Sequence, residues 1–226
     1  PWDIGVPVLG VAAWSGTGKT TLLVAVLPLL RQRGLRVGLL KQSHHAIEVD
    51  TPGKDSYELR AAGASPVLVA SPVRWAMMGE TPTGADPGLG DLLARFDPGE
   101  VDLILVEGFK HEAFPKLELY RSALGRPPLY PQDPHVVAVA TDGPLDPHPQ
   151  VPVLDLGRPE EVADFIATYN RLRARFREAD GEPAALAVVH DGRLTVGLWR
   201  SGAWRGVRSQ PVRDDVASEP NQREAN

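Results

Sequence analysis

The sequence predicts an α/β fold, a mostly parallel sheet of the P-loop NTPase type with helices on both faces. Three observations carry that expectation. Short apolar runs alternate with amphipathic stretches through most of the 226 residues, the signature of strand–helix–strand units. A Gly-rich loop joins the first apolar run to the first helical one. A later run, VDLILVEGF (Val101–Phe109), is apolar almost throughout, as a parallel strand covered on both faces must be. An exposed β-ribbon and a small C-terminal β appendage complete the expected architecture.

The elements follow in order. VPVLGVAA (Val6–Ala13) reads as a buried strand. Lys19–Arg33 reads as a helix with Leu22, Leu23, Val26, Leu27 and Leu30 on one broad face. Pro28 is expected to kink it, since proline removes a ladder donor, and Gly34 suits the position just past its end. Arg36–Ser43 is a second strand, Asp55–Ala62 a short helix, and Pro66–Ser71 a third strand. Gly79–Gly88 reads as a loop and Leu89–Phe96 as a short helix before Val101–Phe109. KLELYR (Lys116–Arg121) alternates polar and apolar residues, which predicts an exposed strand or ribbon. His135–Asp142 and Val151–Leu156 are further strands. A final helix runs from Pro159 to about Arg175, with Pro at its first position and Glu160 and Glu161 in the first turn.

The main α/β domain is therefore expected over residues 1–176, a linker over 177–182, a small β-rich appendage over 183–212 and a disordered tail over 213–226. Asp191-Gly192 and Ser201-Gly202 mark hairpin turns in the appendage. Trp199 and Trp204 flank one of them and either cover the core or form a binding surface.

Composition narrows the function classes. There is no cysteine, which removes disulfides, thiolate metal sites and cysteine nucleophiles together. The formal charge of −5 implies no general attraction to nucleic acid. No apolar run approaches the about 20 residues that span a bilayer, and the first residues lack the charged region of a secretion signal. A soluble, cytoplasmic protein is expected.

The chemistry begins at AAWSGTGKTTLL (Ala12–Leu23), which contains A-x-x-x-x-G-K-T from Ala13 to Thr20. Ala13 stands where glycine is commoner. Successive backbone N–H groups of such a loop converge on phosphate oxygens, and the following helix adds its dipole. Lys19 is expected at the β- and γ-phosphates and the Thr20 hydroxyl on Mg²⁺. Glu107, at the end of Val101–Phe109, is the candidate acid for the metal, directly or through water. Asp102 begins the same run at its far end and is the poorer candidate. Trp14, inside the loop, has open roles: stacking on a partner, stacking on a ligand, or shielding the loop.

LLKQSHHAIEVDTPGKDSYELR follows the second strand and brings Lys41, His44, His45, Asp50, Lys54 and Asp55 to the same sheet edge. A polar site for an anionic substrate and a solvated loop both remain open. A metal site is disfavoured, because adjacent histidines in an extended segment point apart.

These stretches, with ASPVRWAMMGETP and VDLILVEGFKHEAFPKLELYR, together resemble the molybdopterin-guanine dinucleotide biosynthesis protein B family over about residues 6–172, in order. The C-terminal β-like piece lies outside the resemblance. It implies a GTP-binding P-loop protein with weak GTPase activity. Such a protein acts late in molybdenum cofactor maturation beside a nucleotidyltransferase that makes the guanine dinucleotide. It also implies a homodimer to which a β-ribbon contributes, with Lys116–Arg121 as the expected ribbon. Carried over by position, Ser15, Gly16, Thr17, Gly18, Lys19, Thr20 and Thr21 bind the phosphates. The Lys41–Asp55 loop, with His44, His45 and Asp50, faces the nucleotide, and Glu107, Gly108 and Lys110 form the acidic strand end. Molybdopterin, its guanine dinucleotide or another anion is the open ligand of the histidine loop. The family often reads Lys-His-x-His-His; Gln42 stands at the second position here, and glutamine hydrogen-bonds without titrating.

Asp142, at the end of a late strand, is a candidate reader of guanine, whose paired N–H donors a carboxylate accepts; the competing reading is a turn-forming Asp before Gly143-Pro144. With Lys19 and Glu107 as the catalytic set and no evident arginine finger or water-orienting residue, slow hydrolysis is expected. A P-loop small-molecule kinase, with Arg74 and the Gly79–Gly88 loop contributing to a lid, and a non-enzymatic GTP-switched carrier remain as alternatives.

Overall fold

The computed structural model describes residues 2, 4–43, 47–81, 86–178, 184–190, 193–200 and 203–211, with side chains through residue 174. In chain order the elements are β1 (Val8–Ala12), α1 (Lys19–Gln32), β2 (Val37–Lys41), α2 (Asp55–Ala61), β3 (Val67–Ala70), β4 (Trp75–Met78), α3 (Leu89–Leu93), β5 (Leu103–Glu107), β6 (Lys116–Tyr120), β7 (Val136–Thr141), β8 (Val153–Asp155), α4 (Pro159–Glu178), β9 (Ala184–His190), β10 (Arg193–Arg200) and β11 (Ala203–Pro211).

Six strands form one sheet in the order β2-β5-β1-β6-β7-β8, and every pairing in it is parallel. After β1 the chain passes to β2 on one side, and later to β6 on the other. The loop after β1 therefore opens at a topological switch point, where open α/β sheets bind ligands. Because all six strands run the same way, the loops after β1, β2, β5, β6 and β7 share one edge.

The core lies on both faces of that sheet. Alternate residues of β5 supply each side: Leu103 and Leu105 pack with α1 and α4, while Ile104 and Val106 pack with Leu89 and Leu93 of α3. Of the apolar run expected over Val101–Phe109, the five residues of β5 are all buried and the two at either end are partly so. Each such side chain contributes about 1.5–3 kcal/mol relative to exposure. In α1, Leu22, Leu23, Val26 and Leu30 are buried and Leu27 partly so. The helix runs on through Pro28, which lies on its exposed side. Arg33 ends α1 and donates from Nε to Asp164 Oδ1 of α4 at 2.8 Å. The Tyr169 hydroxyl, from α4, donates to the Val8 carbonyl at 3.0 Å, and burial pushes that phenol up to about 12.

Two strand expectations change. Lys116–Tyr120 is no exposed ribbon. It is β6, inside the sheet between β1 and β7, and Lys116 and Glu118 are buried. Its polar residues alternate because each has a protein partner. Lys116 Nζ donates to Asp133 Oδ2 at 2.7 Å, and Glu118 accepts the N–H groups of Leu129 and Tyr130 at 2.7 and 2.8 Å. The segment after β6 folds back as a roof that a charge pattern alone does not reveal. The ribbon exists elsewhere: β3, expected as a strand, pairs antiparallel with β4 in a separate two-stranded unit. There Leu68, Val69, Val73, Trp75 and Met77 are exposed.

Beyond α4, β9, β10 and β11 form an antiparallel three-stranded sheet with β10 central, matching the expected hairpins. Trp199 and Trp204 are register partners in it, but their side chains lie outside the described ones. Of the linker expected over 177–182, residues 177 and 178 belong to α4, which extends to Glu178, and 179–182 lie outside the described residues, as does the tail expected over 213–226. Residues 82–85 of the Gly79–Gly88 loop are likewise not described.

Candidate functional site

The site is built on the loop from Ala13 to Gly18, at the end of β1. Gly16 and Gly18 hold φ of 81° and 97°, in the left-handed region that a side chain disfavours. Gly18 is the N-cap of α1, so the free N–H groups of the first helical turn open onto this loop. Thr17 is buried and its hydroxyl donates to the Trp14 carbonyl at 2.8 Å, which tightens the turn. Ser15, Gly16, Thr20 and Thr21 are exposed. The loop thus has a fixed inner side and an open outer one.

Lys19 folds back over it. Its Nζ donates to the carbonyls of Ala13 and Trp14, both at 3.2 Å. Burial pushes this ammonium below the ordinary lysine value; Glu107 pulls it back, while Lys41 and Lys110 push it further down. Lys19, Lys41, Lys110 and Glu107 therefore share one electrostatic neighbourhood.

Glu107 comes from the neighbouring strand. Lys41 and Glu107 are register partners on β2 and β5, and Lys41 Nζ donates to Glu107 Oε1 at 2.8 Å. Glu107 is 8% exposed, whereas half of the Lys41 side chain faces solvent. After Glu107 the chain turns sharply: Gly108 has φ 113° and a Cβ there would fall 2.6 Å from Cβ of Gln42. Gln42 Oε1 accepts the Phe109 N–H at 2.9 Å. The residue that departs from the histidine pattern thus braces the turn after Glu107.

On the other flank, Arg121 follows β6. Its Nε donates to the Thr17 carbonyl at 2.9 Å, and its Nη1 pairs with Asp142 Oδ2. Asp142 stands just past β7, so one guanidinium ties the phosphate loop to the expected base-reading acid. Sequence reasoning missed Arg121, because its strand was taken for an exposed ribbon; placing β6 inside the sheet brings its end beside Gly18. Trp14 also gains a place. Its Nε1 donates to the Pro127 carbonyl at 2.8 Å, and Lys110 Nζ lies 4.0 Å from the ring centroid.

The structure therefore brings Ser15–Thr21, Lys41, Glu107, Gly108 and Asp142 to one edge. It does not do so for the rest of the histidine loop. His44 and His45 lie outside the described residues. Asp50 accepts from Thr51 N–H at 2.9 Å and Ser56 Oγ at 3.0 Å, bonds local to its own loop.

Among the described residues no group of three or more His, Cys, Asp or Glu is placed to hold a metal. Magnesium beside a polyphosphate needs none, since it takes one or two protein oxygens together with phosphate and water. The exposed Thr20 hydroxyl and the Glu107 carboxylate are hard oxygen donors at this edge and fit such an ion.

Residues 8–142 match the family model described as molybdopterin guanine dinucleotide synthesis protein B. The chain is also 52% identical over 165 residues to the molybdopterin-guanine dinucleotide biosynthesis adapter protein of Escherichia coli K12, covering 73% of this chain and 93% of that protein. The chain belongs to this family. The adapter protein of the same name from Haemophilus influenzae is 44% identical over 164 residues, covering 73% of this chain and 89% of the relative. A crystal structure of a family member, molybdopterin-guanine biosynthesis protein B, superposes with a TM-score of 0.56 at 26% identity, covering 72% of this chain and 99% of that one. The homologue from Bacillus stearothermophilus gives 0.54 at 26%, covering 74% and 99%. Family and fold thus agree with the parallel P-loop sheet, and the family model spans the phosphate loop, Glu107 and Asp142.

Proposed function

We propose that this chain is a GTP-binding adapter in the assembly of molybdopterin guanine dinucleotide, with slow magnesium-dependent GTPase activity. The observation that carries the reading is the phosphate loop itself. It is a strand–loop–helix cradle with Lys19 folded over it and a nearly buried Glu107 one strand away. The curated relatives are named adapter proteins of molybdopterin-guanine dinucleotide biosynthesis, and that supports the process.

In this reading the N–H groups of residues 15–21 hold the phosphates and Lys19 neutralises the β- and γ-phosphates. Thr20 and Glu107 hold Mg²⁺, Glu107 through water because Lys41 already occupies one of its oxygens. Asp142 accepts the paired donors of guanine, with Arg121 fixing its position. Arg121 is engaged with Thr17 and Asp142 on the base side and Arg126 lies against the Trp14 ring, and neither placement is that of a free arginine finger, which supports slow hydrolysis. The protein works as a homodimer, and the exposed apolar β3–β4 unit replaces β6 as the contributing ribbon, since two strands alone are marginal in water. A monomer in sedimentation equilibrium would contradict that part.

The partner is the nucleotidyltransferase that makes the dinucleotide. Co-purification with that enzyme tests the adapter role. Recovery that rises with Mg·GTP and is lost in Lys19→Ala is the expected result. Recovery independent of nucleotide would leave an adapter without a GTP switch, and no recovery in any condition would overturn the adapter reading.

A further inference from the structure

Trp14 carries two ammonium groups. Its carbonyl accepts Lys19 Nζ at 3.2 Å, and its indole ring receives Lys110 Nζ at 4.0 Å from the centroid. The ring is fixed from its far end, where Nε1 donates to the Pro127 carbonyl at 2.8 Å, and Arg126 approaches it at 5.7 Å. A residue of this loop thus presents the motif lysine and a second lysine, from the turn after β5, at the same place.

Lys110 reaches it through a strained turn. Gly108 and Phe109 have φ of 113° and 50°. A bulky side chain in the left-handed region is a real outlier, and such strain persists only where the surroundings enforce it. Here Gln42 Oε1 takes the Phe109 N–H, and the Phe109 carbonyl accepts the Glu112 N–H at 3.0 Å. The chain reverses directly after Glu107, and Lys110 comes back over the phosphate loop.

The charges are unbalanced. Lys41 pairs with Glu107, which leaves Lys19 and Lys110 as two further ammonium groups at the loop. Lys110 is among the cations that press on Lys19, after burial and Lys41. Among the described residues Lys110 has no carboxylate partner; its contact is the π face of Trp14, which holds a cation weakly enough to yield it to a phosphate.

We propose that Lys110 is a second phosphate-binding lysine, held at the phosphate loop by the Trp14 indole and directed at the terminal phosphate of a nucleoside triphosphate. It discriminates triphosphate from diphosphate, whereas Lys19 serves both. This rests on the nucleotide-binding reading above. The test compares Mg·GTPγS and Mg·GDP binding by calorimetry in the wild type, Lys110→Met and Lys110→Arg. Loss of one charge-assisted contact predicts that Lys110→Met weakens GTPγS about tenfold or more and leaves GDP nearly unchanged, with Lys110→Arg restoring most of the difference. The GDP affinity also reports on folding, so a misfolded variant is recognised. In ¹⁵N spectra the Trp14 indole N–H, assigned by its loss in Trp14→Phe, shifts with GTPγS and not with GDP. Equal loss for both nucleotides, no loss for either, or a Trp14 signal blind to the third phosphate would overturn the proposal. A wild type that binds neither nucleotide would overturn the underlying reading as well, and the two failures are distinct.

Discussion

Two carboxylates stand on the strands that flank β1, and they are treated in opposite ways. Glu118, on β6, is fully buried and each of its oxygens accepts a backbone N–H group, next to a Lys116–Asp133 pair whose lysine is 1% exposed. Glu107, on β5, is nearly as buried, but its lysine partner is half in solvent, a second lysine stands over the loop beside it, and a strained turn follows. A buried charge whose partners all come from the protein is scaffold, since it has nothing left to offer a ligand. A buried acid at a strand end, with partly exposed cations in excess around it, is the arrangement on which the proposed binding of a polyanion and its metal rests.

The comparison can be broken at the scaffold end first, where the effect is largest. Lys116→Ala leaves Asp133 without its cation inside the fold, and removing one partner of a buried pair costs about 3–5 kcal/mol. Urea unfolding should show that loss while nucleotide affinity of the folded protein is kept. A loss below about 1 kcal/mol, the value of an exposed pair, would mean that β6 is not the interior strand described.

The converse substitution is Glu107→Gln. Because Lys41 is half exposed, stability should change by less than about 1 kcal/mol, while Mg·GTP affinity falls about tenfold through the lost acid. A Glu107→Gln protein that unfolds easily yet binds Mg·GTP normally would reverse the roles given to the two acids.

A smaller effect is expected from Asp142→Asn. It should narrow the preference for GTP over xanthosine triphosphate in competition binding, because an amide no longer pairs with two guanine donors. An unchanged preference would leave Asp142 as the anchor of Arg121 alone.

The smallest is a pH effect at Glu118. Burial raises its pKa above the ordinary glutamate range, against the two N–H groups and together with Asp133. A carboxyl with a raised folded-state pKa contributes stability that is fully present below its unfolded value, about 4.3, and is lost as pH rises through the folded value. The stability of Glu118→Gln relative to the wild type should therefore improve as pH rises from about 4.3 toward neutrality. A constant difference would mean that Glu118 titrates as in solvent.

The same contrast explains what was legible in the sequence. The strand–loop–helix at Gly16 and Gly18, β5, and the place of Glu107 at its end were legible because the local pattern is unambiguous there: glycines where the backbone has positive φ, an unbroken apolar run where both faces are covered. Lys116–Tyr120 was misread because alternation reports two unlike faces, not which face meets water. The roof over Lys116 and Glu118 comes from Leu129, Tyr130 and Asp133, residues whose spacing carries no periodic signal. Arg121 was lost with that strand. Lys110 over Trp14 depends on a turn at Phe109 that no composition rule favours. The apolar ribbon was half legible: Val67–Ala70 reads as a strand, but nothing in it says that its partner is Trp75–Met78 rather than the main sheet.

The central claim is that the loop after β1 binds GTP through Lys19. Calorimetric titration of the whole chain with Mg·GTP and Mg·ATP, in the wild type and in Lys19→Ala, tests it most directly. The account predicts saturable GTP binding, weaker ATP binding, and no measurable binding of either in the variant. Near-normal GTP binding by Lys19→Ala, or no GTP binding by the wild type, would contradict it.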